Sequence, residues 1–324
     1  MNKILKTIIA AVFMAASVVV PTVPAFAEDV EKPAVWLQIS PVSNRVILNP
    51  GDELTYTMNV DNIGSKKFKF RVYATPYSIS NEAYEVSFST NTNRTQVSRW
   101  ITFNQNMSAK KDSEKKWVNE ATFEVEPEKR QAVEYKISVP KDIPEGGQYA
   151  TIFAESIPES TSSESTGVRT ISRVGLILYG HTNGETVDEA SISDFKMNTF
   201  MTGGKITANV NVKNEGNTDF SSSVKMEVSN IFGSKLAEVE KTYDVLPDSP
   251  TRNNTTEWEE TPTFGIFSVK TTVTALSESL EVTKIVLVMP IYIIIIMVIL
   301  LTFIIAWLII LIRKRRAQKS RLIV

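Results

Sequence analysis

Side chains capable of acid–base or metal chemistry are scarce in this sequence, which has one histidine, His181, and no cysteine. A zinc site needs several histidine, cysteine or carboxylate ligands close together, and none can be assembled here. Ser-His-Asp hydrolysis would need His181 as its base, but no Gly-x-Ser-x-Gly segment accompanies it. His181 falls where we expect a linker, and a linker histidine is more often solvated than catalytic. We therefore predict no enzymatic activity, no metal site and no cofactor.

Neighbouring carboxylates are the remaining candidates for catalysis, because a pair of them can hydrolyse a glycosidic bond. Acidic pairs occur at Asp52-Glu53, Asp188-Glu189 and Glu259-Glu260. They fall on predicted turns and strand faces, as solvated residues do. A secreted hydrolase is therefore the least favoured alternative.

Aromatic side chains are better candidates for a binding site. Trp100, Phe103 and Trp117 flank residues 104–116, a polar insertion longer than a simple hairpin. Exposed aromatic rings stack against sugars or anchor protein interfaces, so we predict that these three residues bind a ligand. The alternative is that Trp100 and Phe103, whose spacing does not match the alternate positions of a flat strand, lie in the core.

Short alternating or aromatic-rich runs must position these residues, and helical periodicity is nearly absent. In Leu54–Val60 and Phe68–Tyr73 the apolar residues take every second position, as in strands with one buried face. Trp36 and Trp258 are predicted core residues. Sixteen runs predict strands: Val35–Ser40, Arg45–Leu48, Glu53–Asn59, Lys67–Tyr73, Tyr84–Ser89, Val97–Phe103, Ala121–Val125, Val133–Val139, Tyr149–Glu155, Ile171–Tyr179, Ala190–Met197, Lys205–Val212, Ser223–Val228, Lys235–Val245, Thr255–Glu259 and Phe267–Ala275.

A break near residues 180–190 divides these runs into two sets. Short strands separated by turns are typical of Ig-like β-sandwiches, so we predict a mainly β chain with one sandwich at residues 28–183 and a second at 184–281. Residues 157–167, rich in Ser, Thr and Glu, are predicted to be a long mobile hairpin loop. Asn59–Gly64 and Asn211–Asn217 each end a strand at an Asn-x-Gly turn, where we expect glycine to supply a positive φ.

The region after the second sandwich predicts a membrane anchor. Residues 285–312 contain no charged side chain and are followed at once by Arg313, Lys314, Arg315 and Arg316. About 20 apolar residues of helix cross a bilayer, so residues 285–312 are predicted to be a single transmembrane α-helix. Basic residues mark the cytoplasmic side, which makes residues 313–324 a basic cytoplasmic tail.

The beginning of the chain predicts export. Lys3 and Lys6 precede the apolar run Ile8–Val20, and Ala25-Phe26-Ala27 provides a small-x-small cleavage site. We interpret residues 1–27 as a signal peptide, with an uncleaved anchor as the alternative. The chain is then a single-pass type I protein of the cell membrane with an extracellular ectodomain.

Charge and cysteine content narrow the class of partner. Between residues 28 and 284 there are 27 basic and 36 acidic residues, a net charge of −9. An acidic surface disfavours nucleic acid as a ligand. Exported Ig-like domains of animal cells usually carry disulfides, so a chain without cysteine favours the surface of a Gram-positive-type bacterium.

Several segments resemble one family. Ile39–Val42 followed by Arg45–Gly64 resembles the start of the peptidoglycan-binding Ig-like domain of WxL-interacting proteins, and Val125–Lys129 and Pro140–Phe153 are similar to its later Pro…Gly-Gly-x-Tyr segment. In this chain Pro50-Gly51 and Pro144–Gly147 also read as turns in which glycine supplies a positive φ. The resemblance implies binding to cell-wall peptidoglycan and surface-protein partners of the WxL type. It assigns no binding residue.

These observations give two hypotheses for the function. In the first, a non-catalytic, membrane-anchored surface protein binds cell-wall glycan or envelope surface proteins through its Ig-like domains. In the second, the chain is a subunit of an envelope or adhesion assembly that docks a partner on an exposed strand edge.

Overall fold

The computed structural model describes residues 33–106, 114–158 and 171–321. The predicted signal peptide at 1–27 lies outside them, as do residues 107–113 of the insertion and most of the predicted loop at 157–167. The N-terminal sandwich comprises twelve strands and a 3₁₀ helix at Gln96–Arg99. The strands are β1 (Leu37–Ser40), β2 (Ser43–Leu48), β3 (Glu53–Asn62), β4 (Phe68–Pro76), β5 (Ser78–Ile79), β6 (Val86–Ser87), β7 (Ile101–Asn104), β8 (Trp117–Val118), β9 (Glu120–Val125), β10 (Arg130–Ser138), β11 (Gly146–Ile157) and β12 (Arg173–Thr182).

Eight further strands form a C-terminal sandwich, and one helix follows it. The strands are β13 (Ala190–Met197), β14 (Phe200–Met201), β15 (Ile206–Asn214), β16 (Phe220–Asn230), β17 (Lys235–Val245), β18 (Arg252–Trp258), β19 (Gly265–Ala275) and β20 (Glu278–Val288), and the helix is α1 (Ile291–Arg321). The chain is therefore mainly β with two Ig-like sandwiches and a C-terminal helix, as the sequence predicts.

Two sheets face each other in each sandwich. The N-terminal sandwich has the strand orders β1-β3-β10-β7-β8 and β2-β12-β11-β4-β9, and β5 pairs with β6 in a small separate hairpin. The C-terminal sandwich has the orders β13-β15-β18 and β14-β20-β19-β16-β17. Neighbouring strands are antiparallel except β2 with β12 and β14 with β20, which are parallel.

Alternating apolar residues build both cores. On β15, Ile206, Ala208, Val210 and Val212 are all fully buried, because alternate side chains of a strand share a face. Trp258 is also in the core, as predicted. Trp36, in contrast, is 49% exposed. Its prediction was wrong because the next residue, Leu37, faces the core.

The run Val97–Phe103 is not a continuous strand as predicted. It begins as the 3₁₀ helix Gln96–Arg99 and becomes β7 only at Ile101. The Thr95 hydroxyl accepts a hydrogen bond from the backbone N–H of Thr92 at 2.8 Å. Local hydroxyl bonds of this kind compete with strand pairing and favour a turn.

The two Asn-x-Gly turns have the same hydrogen bonds. Asn62 Nδ2 donates to the carbonyls of Lys66 and Val125 at 2.9 and 3.3 Å, and its Oδ1 accepts from Gly64 N at 2.9 Å. The corresponding amide at the end of β15 donates to two carbonyls at 2.7 and 2.9 Å and accepts from Gly216 N at 2.9 Å. The two Asn-x-Gly segments thus form the same structural clamp, at the end of one strand in each sandwich.

The glycines of these turns have a different role from the one predicted. Neither Gly64 nor Gly216 has a positive φ. A Cβ on Gly64 would lie 2.8 Å from Ala34 O, and one on Gly216 would lie 2.1 Å from Val187 O. They are glycines because another stretch of backbone passes against them. The prediction of positive φ holds instead in the two Pro–Gly turns, at Gly51 and Gly146.

The C-terminal helix begins later than the apolar run that predicts a membrane span. Residues 285–288 belong to β20, where Val286 and Val288 are fully buried in the C-terminal sandwich. Hydropathy alone does not distinguish such a strand end from a helix start. The segment Ile291–Arg313 has 23 residues and is long and apolar enough to cross a membrane. At the usual rise of a helix, it covers about 34 Å, slightly more than a hydrocarbon core.

Candidate functional site

The three predicted ligand-binding residues occupy different environments. Phe103 lies on β7 opposite Tyr135 and is fully buried. Trp100 is half-buried against the same core, and its carbonyl accepts a hydrogen bond from Ser138 N at 2.9 Å. A buried ring cannot stack on a sugar. Phe103 is therefore a core residue, which is the alternative interpretation that the sequence allows. Ligand binding by Trp100 and Trp117 stays a prediction.

Trp117 is half-buried on an edge strand of the sheet that the described residues form, beside two cations. It lies on β8, the last strand of its sheet. Lys136 Nζ is 5.1 Å and Lys115 Nζ is 5.8 Å from the centroid of the indole ring. Such an arrangement can contact the apolar face of a sugar while the ammonium groups attract carboxylates.

Two glutamates position these lysines. Lys115 Nζ lies 2.6 Å from Glu134 Oε1, and Lys136 Nζ lies 3.1 Å from Glu53 Oε1. Burial alone would raise the pKa of Glu134, but hydrogen bonds from Lys115 and Asn104 bring it below its ordinary value. The pair is therefore ionic at neutral pH, and a ligand carboxylate would compete with Glu53 and Glu134 for the two cations.

The edge of the second sheet lies next along the chain, on β9. Among the described residues, this strand pairs with β4 on one side only. The side-chain amide of Gln105 fills one position on the free side: its Nε2 donates to Thr122 O at 2.8 Å and its Oε1 accepts from Thr122 N at 3.0 Å. Gln105 thus contacts the edge as the backbone of an added strand would.

The junction between the sandwiches is a second polar site, centred on Asp219. Arg45 Nη1 lies 2.6 Å from Asp219 Oδ2, and the Tyr149 hydroxyl donates to Asp219 Oδ1 at 3.2 Å. The Asp219 side chain is 8% exposed. Burial would lower the pKa of Arg45, but the hydrogen bond and charge of Asp219 raise it overall. The Arg45 guanidinium also lies 4.4 Å from the Tyr179 ring centroid.

Other contacts across the junction surround this pair. Tyr149, Tyr179 and Tyr77 of the N-terminal sandwich pack with Leu246 of the C-terminal sandwich. The polar contacts are Tyr179 with Asp244 at 3.4 Å, Arg94 with Asp248 at 2.7 Å, Tyr84 with Ser249 at 3.2 Å and Gly147 N with Asn217 O at 2.7 Å. The sandwiches therefore share a small core with a charged rim, and the junction acts as a fixed joint.

The buried tyrosines predict an alkaline transition. Burial raises the pKa of Tyr149 and of Tyr179, and the charges of nearby aspartates raise both further. Burial also raises the pKa of Tyr135, to about 12. Because the native pKa is raised, the unfolded chain loses these protons at a lower pH than the folded protein does. The contribution of these tyrosines to the free energy of unfolding is therefore fully present below about pH 10 and falls as the pH rises above it. A near-ultraviolet phenolate titration should show part of the nine tyrosines ionising only as the protein unfolds. Ionisation of all nine near pH 10 without loss of structure would contradict this.

His181 lies on β12 and not in a linker, which corrects the sequence-based placement. It lines an open groove of about 420 Å³ at the junction together with Arg45, Tyr179, Asp188 and Asp219. Among the described residues, no three histidine or carboxylate side chains come together as a metal site requires. The groove is polar and open, and the Arg45 guanidinium that lines it is already paired with Asp219.

The comparisons with known proteins give structural neighbours only. No family model and no curated protein matches the chain. Solved structures with similar folds include the class 5 fimbriae chaperone CfaA, with 12% identity, 77% of this chain and 99% of that chain covered, and a TM-score of 0.36. The CsuC–CsuE chaperone–tip subunit complex of Acinetobacter baumannii Csu pili has 9% identity, with 77% of this chain and 98% of that chain covered and a TM-score of 0.36. The Pseudomonas aeruginosa CupB2 chaperone has 13% identity, with 75% of this chain and 97% of that chain covered and a TM-score of 0.34. None of these values is high enough to transfer a function or a site to this chain.

The junction residues were not identified as a site from the sequence. In the sequence, the segment Gly146-Gly147-Gln148-Tyr149 indicates only a family resemblance and a turn, although adjacent glycines before a strand are also typical of close backbone approach. No sequence pattern around Asp219 indicates a site, since its partner Arg45 is 174 positions away. Pairs this distant in sequence become visible only in the fold.

Proposed function

We propose that this chain is a non-catalytic, membrane-anchored surface protein that binds cell-wall peptidoglycan or an envelope surface protein through its N-terminal sandwich. The binding surface is the flank formed by β8 and β9. Helix α1 holds the protein in the cell membrane, and the fixed joint at Asp219 presents this flank at a constant orientation to the C-terminal sandwich. Tethering raises the effective concentration of weak contacts, so modest affinity at each site suffices.

The observation that carries the proposal is the setting of Trp117. Its ring lies on the edge strand β8, with Lys136 and Lys115 at 5.1 and 5.8 Å. Peptidoglycan offers sugar rings and the carboxylates of its stem peptides, which match an indole flanked by ammonium groups. The sequence resemblance to WxL-interacting proteins supports the same class of ligand and extends the proposal to a surface protein of the WxL type.

Replacing Trp117 with alanine should reduce retention on the cell wall. We expect a soluble form covering residues 28–289 to co-sediment with purified peptidoglycan, and Trp117→Ala to weaken binding about tenfold, equivalent to about 1.4 kcal/mol. Trp36→Ala is the control, because Trp36 is a tryptophan of the same sandwich that is 49% exposed and lies outside this flank. Binding of both variants like the unaltered protein would remove the flank from the proposal. Retention only on wall that keeps its proteins would assign the partner as a protein.

The edge of β9 supports a second candidate, docking of a partner strand in an envelope assembly. An incoming strand would replace the Gln105 amide and bond to Thr122 N and O. Thr122→Pro removes the N–H that points away from β4 and leaves the pairing with β4, since proline is tolerated in edge strands in this position. We expect Thr122→Pro to abolish capture of such a partner and Thr122→Val to retain it. Equal capture by both variants in a co-purification assay would exclude docking at this edge.

A further inference from the structure

An exposed apolar patch lies at one end of the C-terminal sandwich. It comprises five residues on the outer side of the five-stranded sheet and at its hairpin tip, and we call it the membrane-end patch. The members are Phe200, Ile231, Phe232, Ile266 and Ile285, which are 51%, 61%, 87%, 44% and 67% exposed. Contiguous apolar surface of this kind marks a contact with a partner or with lipid.

Strand register places the patch at a single end of the sheet. Ile266 on β19 and Phe200 on β14 both lie opposite Leu287 of β20. Asn230, the last residue of β16, lies opposite Phe267, so the hairpin tip that follows it reaches the same end. The chain also leaves the sandwich for α1 at this end.

The sandwich continues into the helix without a free linker. Strand β20 ends at Val288, Met289 N donates to Met201 O at 2.8 Å, and α1 begins at Ile291. The helix segment that can cross the membrane also begins at Ile291. This end of the sandwich must therefore lie within a few residues of the membrane surface.

Charge is absent from the segments that form this end of the five-stranded sheet. Residues 198–204, 229–234, 261–269 and 285–290 contain no Asp, Glu, Lys or Arg. This contrasts with the net charge of −9 over residues 28–284. On the facing sheet, Glu259 is 3.0 Å from Lys205, and Glu260 follows it. The acidic residues of the five-stranded sheet nearest this end, Glu227 and Glu238, are paired with Lys225 and Lys235. An uncharged apolar surface avoids the repulsion that anionic headgroups would impose on acidic residues.

We propose that the membrane-end patch rests in the headgroup–acyl boundary of the bilayer that α1 spans, with Phe232 deepest. Apolar and aromatic side chains at this depth anchor interfacial segments, and the amphipathic ring of Tyr292 in the first turn of α1 marks the same level. The C-terminal sandwich then rests on the membrane and does not swing on its anchor. The proposal rests on the membrane anchor of the proposed function and is independent of wall binding.

The absence of cysteine allows a direct test in the full chain. Single spin labels are placed at Phe232→Cys, at Ser277→Cys and at Leu300→Cys, and each protein is reconstituted into vesicles of phosphatidylglycerol and phosphatidylcholine. Ser277 is the matched control, since it lies in the β19–β20 turn at the far end of the same sheet, about 30 Å away. Leu300 reports whether α1 has inserted. Collision rates are measured with oxygen, which enters lipid, and with a water-soluble nickel complex.

We expect the Phe232→Cys label to collide more with oxygen than with nickel, as the Leu300→Cys label does, and the Ser277→Cys label to show the reverse. Nickel access at Phe232→Cys equal to that at Ser277→Cys would overturn the docking while leaving the anchor in place. Low collision with both reagents at Phe232→Cys would mean a protein contact and would also overturn it. A nickel-accessible Leu300→Cys label would overturn the anchor itself. Phe232 is 87% exposed at a hairpin tip, so the substitution leaves the sandwich core unchanged.

Discussion

Replacing Asn62 or Asn214 with alanine is expected to lower the free energy of unfolding of the affected sandwich by about 3 kcal/mol, because buried partners left without a hydrogen bond cost about 1–3 kcal/mol each. Asn62 and Asn214 are 1% and 4% exposed. Each donates to two carbonyls and accepts from one N–H. No side chain of alanine can replace these bonds, and water has little access to them.

The partners explain why the loss is large. Asn62 joins its own turn to Val125 at the end of β9, and Asn214 joins its turn to Val245 at the end of β17. Each clamp therefore ties a turn to a distant strand end as well as closing the turn itself. Loss of the amide releases the turn and the strand end, so these two elements lose order together.

Urea denaturation of the soluble form covering residues 28–289 measures this effect. The exposed residue Asn198 provides the control, and Asn198→Ala should change stability by less than about 0.5 kcal/mol. Asn62→Asp and Asn214→Asp keep the acceptor and lose both donors, so they should destabilise at neutral pH as much as alanine does. A loss no larger than that of Asn198→Ala would show that the clamps do not contribute to stability.

The sequence was sufficient for the architecture because strands with one buried face leave a period of two in the chain. Leu54–Val60 shows it, and the structure places β3 there. The same logic failed at Val97, where local hydroxyl bonds favour a 3₁₀ turn, and at Ile285, where an apolar strand end continues into an apolar helix. In both cases the residue types are compatible with two local structures, and tertiary contacts determine which of the two forms.

The candidate sites were less accessible to sequence reasoning. Trp117 was identified because an aromatic residue beside a polar insertion is unusual, but its neighbour Lys136 is on another strand and could not be assigned. Phe103 is also aromatic and borders the same insertion, yet it is buried. The burial of an aromatic side chain depends on strand register, which an irregular segment such as the one before β7 obscures.

Replacing Gly146 with alanine is expected to open the joint between the sandwiches and to lower stability by about 3 kcal/mol, the sum of backbone strain and lost polar contacts. Gly146 has a φ of +93°, which L-residues rarely adopt. A Cβ at this position would lie 2.3 Å from Asn217 O and 2.7 Å from Arg94 Nη1. The Asn217 carbonyl belongs to backbone of the C-terminal sandwich and cannot rotate away as a side chain would.

Displacement of Asn217 removes more than one contact. Gly147 N donates to Asn217 O at 2.7 Å, and two residues further along the C-terminal sandwich Asp219 accepts from Tyr149. Movement of this segment therefore separates Asp219 from Tyr149 and from Arg45, leaving a buried hydroxyl and a carboxylate without partners. The Gly-Gly-x-Tyr segment thus has a physical role in this chain: glycine admits the second sandwich, and tyrosine binds it.

Gly233→Ala separates strain from collision. Gly233 has a φ of +84°, close to that of Gly146, but no atom lies within 4 Å of its Cβ position. Both variants should lose about 1–2 kcal/mol from the left-handed backbone, and only Gly146→Ala should lose the remainder. Small-angle scattering should then show a larger radius of gyration for Gly146→Ala alone, since only in that variant do the sandwiches separate. Equal stability losses and equal radii for the two variants would mean that the joint does not depend on the close approach at Gly146 and is held by its other contacts.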